Sequence, residues 1–330
     1  GREFTSVCHF CGCGCGTLGY VKEGKLINLE GAPDHPVNRG GLCPKGLGYG
    51  HIPNSAERPK SPMYRAPGSD RWVEISWEEA IDRAARALKK ARDEHWVGQD
   101  EANGYKFMSN RTDAIAFIGG SQVNNEECYQ LIKMARALGV VYIDNQTRVC
   151  HATTPPALNA AFGRGAMTGS WYNLKHAKMI WIEGSNMAEC HPMAMKNVME
   201  ARDNGAIVVH VDVRYTRTSR VADHFFQLRP GTDIVFLGAI INYIIQNKKY
   251  DADYLRRNTN AFCLLRDDYE FDAGIFSGYD EKTRTYNKET WGYQLDANGK
   301  PMKASSMAAK NTVMDRLAEH FQRYTFEKAA

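Results

Sequence analysis

The chain has 330 residues, which is enough for two or three domains with substantial cores. Its 42 Lys and Arg residues against 38 Asp and Glu give a formal charge of +4. That charge is too balanced and too evenly spread for a nucleic-acid or membrane-surface binder. No apolar run is long enough to cross a bilayer, and nothing resembles a secretory signal, although the chain starts at Gly1 and removal of a leader stays open.

Five of the nine cysteines precede residue 44, and four of these have a spacing typical of metal ligation. Glycines surround the first three, and glycine permits the tight turns that aim thiolates at a shared centre. A 4Fe-4S cluster, a structural zinc site and a disulfide framework are the alternatives, and crowding favours ligation over disulfides. Lys45 can donate hydrogen bonds beside a cluster, whereas Cys13 breaks the spacing and is predicted to be a spare thiol. The four candidate ligands are Cys8, Cys11, Cys15 and Cys43.

The predicted elements begin with a small N-terminal domain that ends near residue 60, where a proline-rich segment begins. A hairpin is expected over residues 19–29. Ser76 is the predicted N-cap of a helix with an apolar stripe. Residues 94–110 are polar and are predicted to be irregular. A strand at 113–118, a helix at 125–138 and a strand at 140–143 then form a βαβ unit, which implies a parallel sheet.

The same alternation continues to the end of the chain. Strands are predicted at 178–183, 206–211 and 223–228, and helices at 192–204, from 233 and at 311–324. The fold class is therefore α/β, with doubly wound parallel sheets that bind ligands at the carboxyl ends of their strands. The predicted domains are 1–60, 61–145 and 146–330.

Three loops that follow predicted strands carry candidate ligand-binding residues. Small residues and helix N-termini favour phosphate, and an acidic residue at a strand end is placed to hold a ribose or a guanine edge. Any one loop is explained by ordinary caps and turns, but three in succession favour a large nucleotide-like cofactor. The glycine fingerprints of NAD and ATP sites are absent from the sequence. The candidates are Gly184, Asn186, Glu189, His191, Asp212, Arg214, Gly231 and Asp233.

Cys150 is a further candidate for chemistry because a cation and an imidazole flank it, in Arg148-Val149-Cys150-His151. A lone cysteine is usually buried filler, whereas these neighbours favour the thiolate of a metal ligand or nucleophile. Its place after a strand, expected on the same sheet edge as the three loops, favours the functional role. Cys128 and Cys263 are predicted to lie in the core.

Together these motifs resemble the N-terminal part of the catalytic subunit of molybdenum- or tungsten-dependent formate dehydrogenases. That group belongs to the bis-molybdopterin guanine dinucleotide oxidoreductases, in the DMSO reductase-like superfamily. The cysteine spacing with Cys43-Pro44-Lys45-Gly46 is typical of the superfamily, and Cys150 followed by His151 separates this group from nitrate reductases. The resemblance is greatest to the respiratory, periplasmic type, with residues 64–70 and 163–168 in support.

The resemblance implies a role for each candidate. Cys8, Cys11, Cys15 and Cys43 would hold the 4Fe-4S cluster, and Lys45 would lie between cluster and pterin. Cys150, or a selenocysteine written as Cys, would bind molybdenum or tungsten, and His151 would manage a proton near formate. The loop candidates would line one molybdopterin guanine dinucleotide, within residues 146–330, and residues 61–145 would begin a molybdopterin domain that other sequence completes.

The resemblance also implies partners and a location. Formate or CO2 would be the substrate, a further polypeptide would supply the rest of the catalytic subunit, and a ferredoxin-like iron–sulfur subunit would accept electrons. No nucleic acid and no membrane span of its own are expected, and the location would be periplasmic or, alternatively, cytoplasmic. Two other functions stay open: another bis-pterin enzyme such as periplasmic nitrate reductase, and a zinc-bearing nucleotide-binding module without redox activity.

Overall fold

The computed structural model describes residues 1–272 and 274–330. They form two compact units, residues 1–226 and 227–330, each described by itself below. The domain boundaries expected near residues 60 and 145 stay predictions. Within the described residues no helix is long and apolar enough to cross a bilayer.

The chain opens with a three-stranded antiparallel sheet made of β1 (Arg2–Val7), β2 (Gly16–Lys22) and β3 (Lys25–Gly31). The hairpin predicted over residues 19–29 is confirmed by the β2–β3 pair. Val7 pairs with Gly16, so residues 8–15 form the connection between β1 and β2. We call this connection the cysteine loop. A short helix, α1 (Pro44–Tyr49), begins directly after Cys43 with proline in its first turn.

The next elements include the first βαβ unit. They are β4 (Met63–Tyr64), β5 (Val73–Glu74), α2 (Trp77–Glu94), β6 (Trp96–Ala102), β7 (Tyr105–Gly119), α3 (Asn125–Ala137) and β8 (Val140–Asn145). Ser76 caps α2 as predicted, because its hydroxyl accepts a hydrogen bond from Glu79 N at 3.1 Å. β7 and β8 are parallel, which confirms the predicted βαβ unit.

The prediction that residues 94–110 are irregular is wrong, because β6 and the first half of β7 pair as an antiparallel hairpin. Asn103 and Gly104 make its two-residue turn with φ of 53° and 78°. An Asn-Gly turn with both residues at positive φ matches the twist of paired strands. The polar side chains concealed this turn signal in the sequence.

A second α/β segment follows two short helices, α4 (Thr147–Cys150) and α5 (Thr154–Phe162), and a 3₁₀ helix (Trp171–His176). It contains β9 (Met179–Glu183), α6 (Met187–Cys190), α7 (Pro192–Asp203), β10 (Ile207–Asp212), α8 (Arg217–Val221) and β11 (His224–Gln227). β9 and β10 are parallel, and β11 is the other neighbour of β10. The doubly wound alternation predicted for this region is thereby confirmed.

The main core of the first unit lies beneath α7. Val198 and Ala201 of α7 and Val208 of β10 are fully buried, and the cysteine loop packs into the same core. Burial of this apolar surface stabilises the fold by roughly 25 cal/mol per Å². The helix that carries the core is therefore also the support of the cysteine loop.

The described residues of the second unit form four helices and short hairpins. These are α9 (Asp233–Gln246), α10 (Ala252–Asn258), α11 (Val313–Phe321), α12 (Phe326–Ala329), and the strands β12 (Phe271–Asp272), β13 (Ile275–Phe276), β14 (Tyr279–Asp280) and β15 (Thr285–Tyr286). The helix predicted at 311–324 is confirmed in a shorter form. Aromatic side chains from the hairpins, with α11, surround a cavity of about 500 Å³.

Candidate cluster and cofactor site

The cysteine loop gathers its thiols in one place. Cys8, Cys13 and Cys15 are buried, and Cys11 and Cys43 pack against the same core. The loop is closed at its base by a hydrogen bond from Cys8 N to Cys15 O at 2.8 Å. Gly14 has a φ of 60°, which glycine adopts without strain, so the chain reverses direction between Cys11 and Cys15. The four predicted ligands are thus brought together by the β1–β2 pair and by α1.

The thiols are electrostatically coupled. Burial raises the pKa of Cys8, and the neighbouring sulfurs of Cys11 and Cys43 raise it further. Burial also raises the pKa of Cys11. Thiolates in such a group repel one another, so their ionised form needs a cationic centre, which the irons of a cluster supply. The donor set therefore fits a thiolate-ligated cluster, while no group of three or more His, Cys, Asp or Glu side chains in the described part forms a ready-made metal-ion site.

Cys13 anchors the loop. It is only 4% exposed, and its thiol hydrogen-bonds with Cys15 and Cys11. The hydrogen bond to Cys15 is the main reason that the pKa of Cys13 is raised and that of Cys15 is lowered. The Cys13 sulfur also accepts from the backbone of Ala194, in the first turn of α7. The predicted spare thiol therefore ties the cysteine loop to α7.

Lys45 connects the cysteine-rich region to the 184–191 loop, which follows β9. Its ammonium donates hydrogen bonds to Glu189 O at 2.6 Å and to Cys190 O at 3.1 Å. His191, at the end of the same loop, is half-buried. Burial lowers the pKa of His191, and the charge of Lys45 lowers it further, so this imidazole favours its neutral form. The positive charge of Lys45, one sequence candidate, therefore helps to keep His191, another candidate, in its neutral form.

The side chains of the 184–191 loop are bonded to those of α8. Asn186 hydrogen-bonds Glu189, and it accepts from the Thr218 hydroxyl at 3.2 Å. Arg217 lies 3.2 Å from the Glu189 carboxylate. Gly184, with a φ of 60°, has no atom within 4 Å of the position of an added Cβ. The loop therefore begins with backbone that no side chain covers, and the polar side chains that follow are held in place by their hydrogen bonds and ion pair.

His210 joins the two loops at the ends of β9 and β10. It is fully buried, and its ring nitrogens lie 2.8 Å from Ser219 Oγ and 3.2 Å from Ser185 O. Nε2 also lies 3.6 Å from the Asp212 carboxylate, whose other oxygen accepts from Arg214 N at 3.3 Å. The predicted pair Asp212 and Arg214 and the 184–191 loop thus lie at the same edge of the sheet, at the carboxyl ends of β10 and β9. His210 was missed in the sequence, where the predicted strand 206–211 is otherwise apolar.

The third predicted loop lies in the second unit. Gly231 has a φ of 83°, and Asp233 is the first residue of α9. Their local geometry is that of a helix start with a negative charge in its first turn, which stabilises the helix dipole. Their predicted role in cofactor binding stays a prediction.

Cys150 and His151 are exposed and lie just beyond β8, at the end of α4 and directly after it. His151 and Arg148 line a cavity of about 420 Å³ at the carboxyl ends of β7 and β8. Arg148 is paired with Asp144 at 3.2 Å. Burial of Cys150 as core filler is therefore not observed. One expectation is corrected: β8 belongs to a different three-stranded sheet from β9 and β10, so Cys150 does not share their sheet edge.

The two cysteines predicted to be core residues differ. Cys263 is buried, as predicted. Cys128 is exposed and lines the cavity beside His151, so the prediction for Cys128 is wrong. The reason is that the α3 face bearing Cys128 looks onto the open cavity rather than onto packed side chains.

Two family profiles match the chain. The profile "Molybdopterin oxidoreductase Fe4S4 domain" matches residues 2–52, and "Molybdopterin oxidoreductase" matches residues 58–312. The chain therefore belongs to the molybdopterin oxidoreductase family, with an N-terminal iron–sulfur domain. Its cofactor classes are accordingly a 4Fe-4S cluster and a molybdenum or tungsten centre with bis-molybdopterin guanine dinucleotide.

Among individual proteins, the chain is 42% identical to formate dehydrogenase 2 subunit alpha (cytochrome c-553) of Nitratidesulfovibrio vulgaris, over 100% of this chain and 32% of that protein. It is 42% identical to the formate dehydrogenase-O major subunit of Escherichia coli, over 98% of this chain and 32% of that protein. The chain thus spans about a third of the length of these relatives. Acetylene hydratase from Pelobacter acetylenicus has the same fold, with a TM-score of 0.67 at 18% identity over 99% of this chain and 36% of that one.

Proposed function

We propose that the chain is the cluster-bearing, metal-ligating portion of a formate dehydrogenase catalytic subunit. The observation that carries the proposal is the 42% identity to a formate dehydrogenase alpha subunit along the whole of this chain. The local geometry supports it, because a thiol-rich loop, a bonded lysine and a polar cofactor loop occur in one unit. Formate would be oxidised to CO2, or CO2 reduced, and electrons would leave through the cluster.

Cys8, Cys11, Cys15 and Cys43 hold the 4Fe-4S cluster in this proposal. Burial and the neighbouring sulfurs of Cys11 and Cys43 raise the pKa of Cys8, which supports a shared cationic centre. The position of all four cysteines on one core supports a rigid binding loop. Lys45 is proposed to lie on the electron path. It follows Cys43, the last cluster ligand, by two residues, and its ammonium bonds the backbone of the 184–191 loop. Its positive charge also compensates the net negative charge of a thiolate-ligated cluster.

Cys150 is the proposed protein ligand of molybdenum or tungsten, and His151 holds a proton beside formate. When bound, the metal centre supplies the two-electron chemistry that formate oxidation needs. The exposed thiol of Cys150 and the cavity lined by His151 leave room for a metal and a small anion. The imidazole of His151 is a proton acceptor that lines this cavity, so it is proposed to take up the proton that the reaction releases. Arg148 lines the same cavity and is paired there with Asp144.

One molybdopterin guanine dinucleotide is proposed to lie along the loops after β9 and β10. Gly184 leaves its backbone open, and Asn186, Glu189, His191, Asp212 and Arg214 provide donors and acceptors for a phosphate or a guanine edge. For Gly231 and Asp233, which belong to the second unit, a role in binding the cofactor stays a prediction.

The partners follow from the same proposal. Further polypeptide completes the catalytic subunit, since the matched relatives are about three times longer. A ferredoxin-like iron–sulfur subunit is proposed to accept electrons, and the proposed location is the periplasm, with the cytoplasm as the alternative. The chain has neither the charge for a nucleic-acid partner nor, in its described residues, a helix able to span a bilayer.

The test uses the assembled, full-length enzyme. This enzyme should reduce a dye with formate as the electron donor and should not reduce nitrate. Metal analysis should find about four irons for the cluster bound to this region, with molybdenum or tungsten and a pterin. Nitrate reduction without formate oxidation would assign the chain to a nitrate reductase instead, and zinc alone would contradict the proposal.

A further inference from the structure

Trp171 is in contact with the cysteine loop, although it lies 159 positions away in sequence from Gly12. It is the first residue of the 3₁₀ helix (Trp171–His176) before β9. Its side chain packs against the core cluster that contains Cys8, Cys13 and Cys15. A residue of the second α/β segment therefore reaches the loop that is proposed to hold the cluster.

Two contacts fix the orientation of the Trp171 indole. Its Nε1 donates a hydrogen bond to the carbonyl oxygen of Gly12 at 2.9 Å. Its ring lies 5.5 Å from the ring of His191, with the planes 36° apart. His191 in turn borders Gly12, since its Nε2 is 3.7 Å from the position of a Cβ added there. The indole therefore has a defined partner for its one polar group.

The peptide that accepts this bond also reaches a sulfur. The carbonyl of Gly12 and the N–H of Cys13 belong to the same peptide group, and the Cys13 backbone hydrogen-bonds the sulfur of Cys11. The indole N–H, the peptide and the Cys11 sulfur thus form a chain of two hydrogen bonds. A peptide that accepts at its oxygen becomes a stronger donor at its nitrogen, because each bond polarises the next.

We propose that Trp171 is a positioning residue that strengthens the hydrogen bond at the Cys11 sulfur and thereby raises the reduction potential of the cluster. The physical reason is that hydrogen bonds to cluster sulfurs stabilise the reduced, more negative form. The inference rests on the proposed assignment of the cluster to Cys8, Cys11, Cys15 and Cys43. It is independent of the substrate.

The experiment measures the midpoint potential of this cluster in the full-length holoenzyme, by redox titration followed with electron paramagnetic resonance. Trp171→Phe keeps an aromatic ring and removes the N–H. Replacement of Trp171 by benzothienylalanine keeps the bicyclic shape and substitutes sulfur for the N–H. Both changes should shift the potential to a more negative value, because the Gly12 carbonyl loses its donor.

Trp181→Phe is the matched control. In the unchanged protein the Trp181 indole also donates a hydrogen bond, at 2.8 Å, but to the carboxylate of Glu183 on β9. This variant should leave the cluster potential where it is in the unchanged enzyme. A tryptophan analogue fluorinated on its ring has a more acidic N–H, and at position 171 it should shift the potential in the opposite direction.

If benzothienylalanine at position 171 left the midpoint potential of the cluster unchanged, the inference would be overturned. This would hold even if Trp171→Phe lowered the potential by disturbing the packing. If Trp171→Phe loses its cluster, the benzothienylalanine and fluorinated variants decide, because they preserve shape. Absence of an iron–sulfur signal from the unchanged enzyme is a separate result and would contradict the proposed function itself.

Discussion

The Lys45 ammonium lies 2.6 Å from the carbonyl oxygen of Glu189. These residues are 144 positions apart, and they join the segment after Cys43 to the loop after β9. A second bond, to Cys190 O at 3.1 Å, makes the link bidentate. Charged hydrogen bonds contribute about 1.5–3 kcal/mol each. The relationship places one cation between the two proposed cofactor sites.

Lys45→Met should slow reduction of the cluster by formate more than it raises the KM for formate. The expected reason is loss of the cation and of its two hydrogen bonds, which link the segment after Cys43 to the loop after β9. The measurement is stopped-flow absorbance of the cluster after mixing with formate. Lys45→Arg, which keeps the charge and the donors, should recover most of the rate, and equal rates in Lys45→Met and the unchanged enzyme would remove Lys45 from the electron path.

Cys150→Ser should reduce formate turnover to background and leave the absorbance of the iron–sulfur cluster intact. The expected reason is loss of the thiolate ligand, because the structure places Cys150 at an exposed position beyond β8 rather than in the core. Formate-dependent dye reduction and the visible spectrum are the two measurements. Val149→Ser makes the same substitution at a side chain that is 88% exposed, and it should retain turnover. Full activity of Cys150→Ser would make the cysteine a structural residue.

Asn38→Ala should destabilise the region around the cysteines by about 2–3 kcal/mol, since it leaves buried backbone groups without partners. Asn38 is fully buried, and its amide bonds both the N–H and the carbonyl of Gly16 and also the carbonyl of Gly41. It therefore connects the chain after Cys15 to the chain before Cys43. Urea denaturation and iron content measure the two effects.

Asn28→Ala provides the comparison for that variant, because Asn28 is an exposed residue of β3. It should change the free energy of unfolding by less than about 0.5 kcal/mol. Similar losses of stability in both variants would show that the Asn38 network is not the cause.

His320 should make the second unit less stable in acid. Burial lowers the pKa of His320, and Arg323 lowers it further. The unfolded chain, with a pKa of about 6.5, therefore binds more protons than the folded one between the two pKa values. Stability should be complete above about pH 6.5 and should fall as the pH decreases through that window. Hydrogen exchange of α11, corrected for intrinsic rates, measures the effect.

His320→Phe should remove that part of the pH dependence and retain the ring contact, which is 5.1 Å from Phe271 in the unchanged protein. An unchanged acid sensitivity of α11 exchange would assign the effect to another group.

Local sequence patterns predicted most elements of the fold. The capping residue Ser76, the β7–α3–β8 unit and the parallel pair β9–β10 all follow from short-range periodicity and caps, which operate within a few residues. The β6–β7 hairpin was missed because its strands are polar. Its Asn103-Gly104 turn carried the signal that hydrophobic periodicity lacked.

The sequence by itself determined the chemical inventory of this protein: the cysteine spacing, Lys45, and the Cys150-His151 pair. Only the tertiary structure decided which of these groups meet. The bond from Lys45 to Glu189, the contact of Trp171 with Gly12 and the exposure of Cys128 all depend on side chains brought together from distant positions. Spacing along a chain constrains neighbours within a loop or helix turn, whereas contacts across 144 or 159 residues are set by how the core packs.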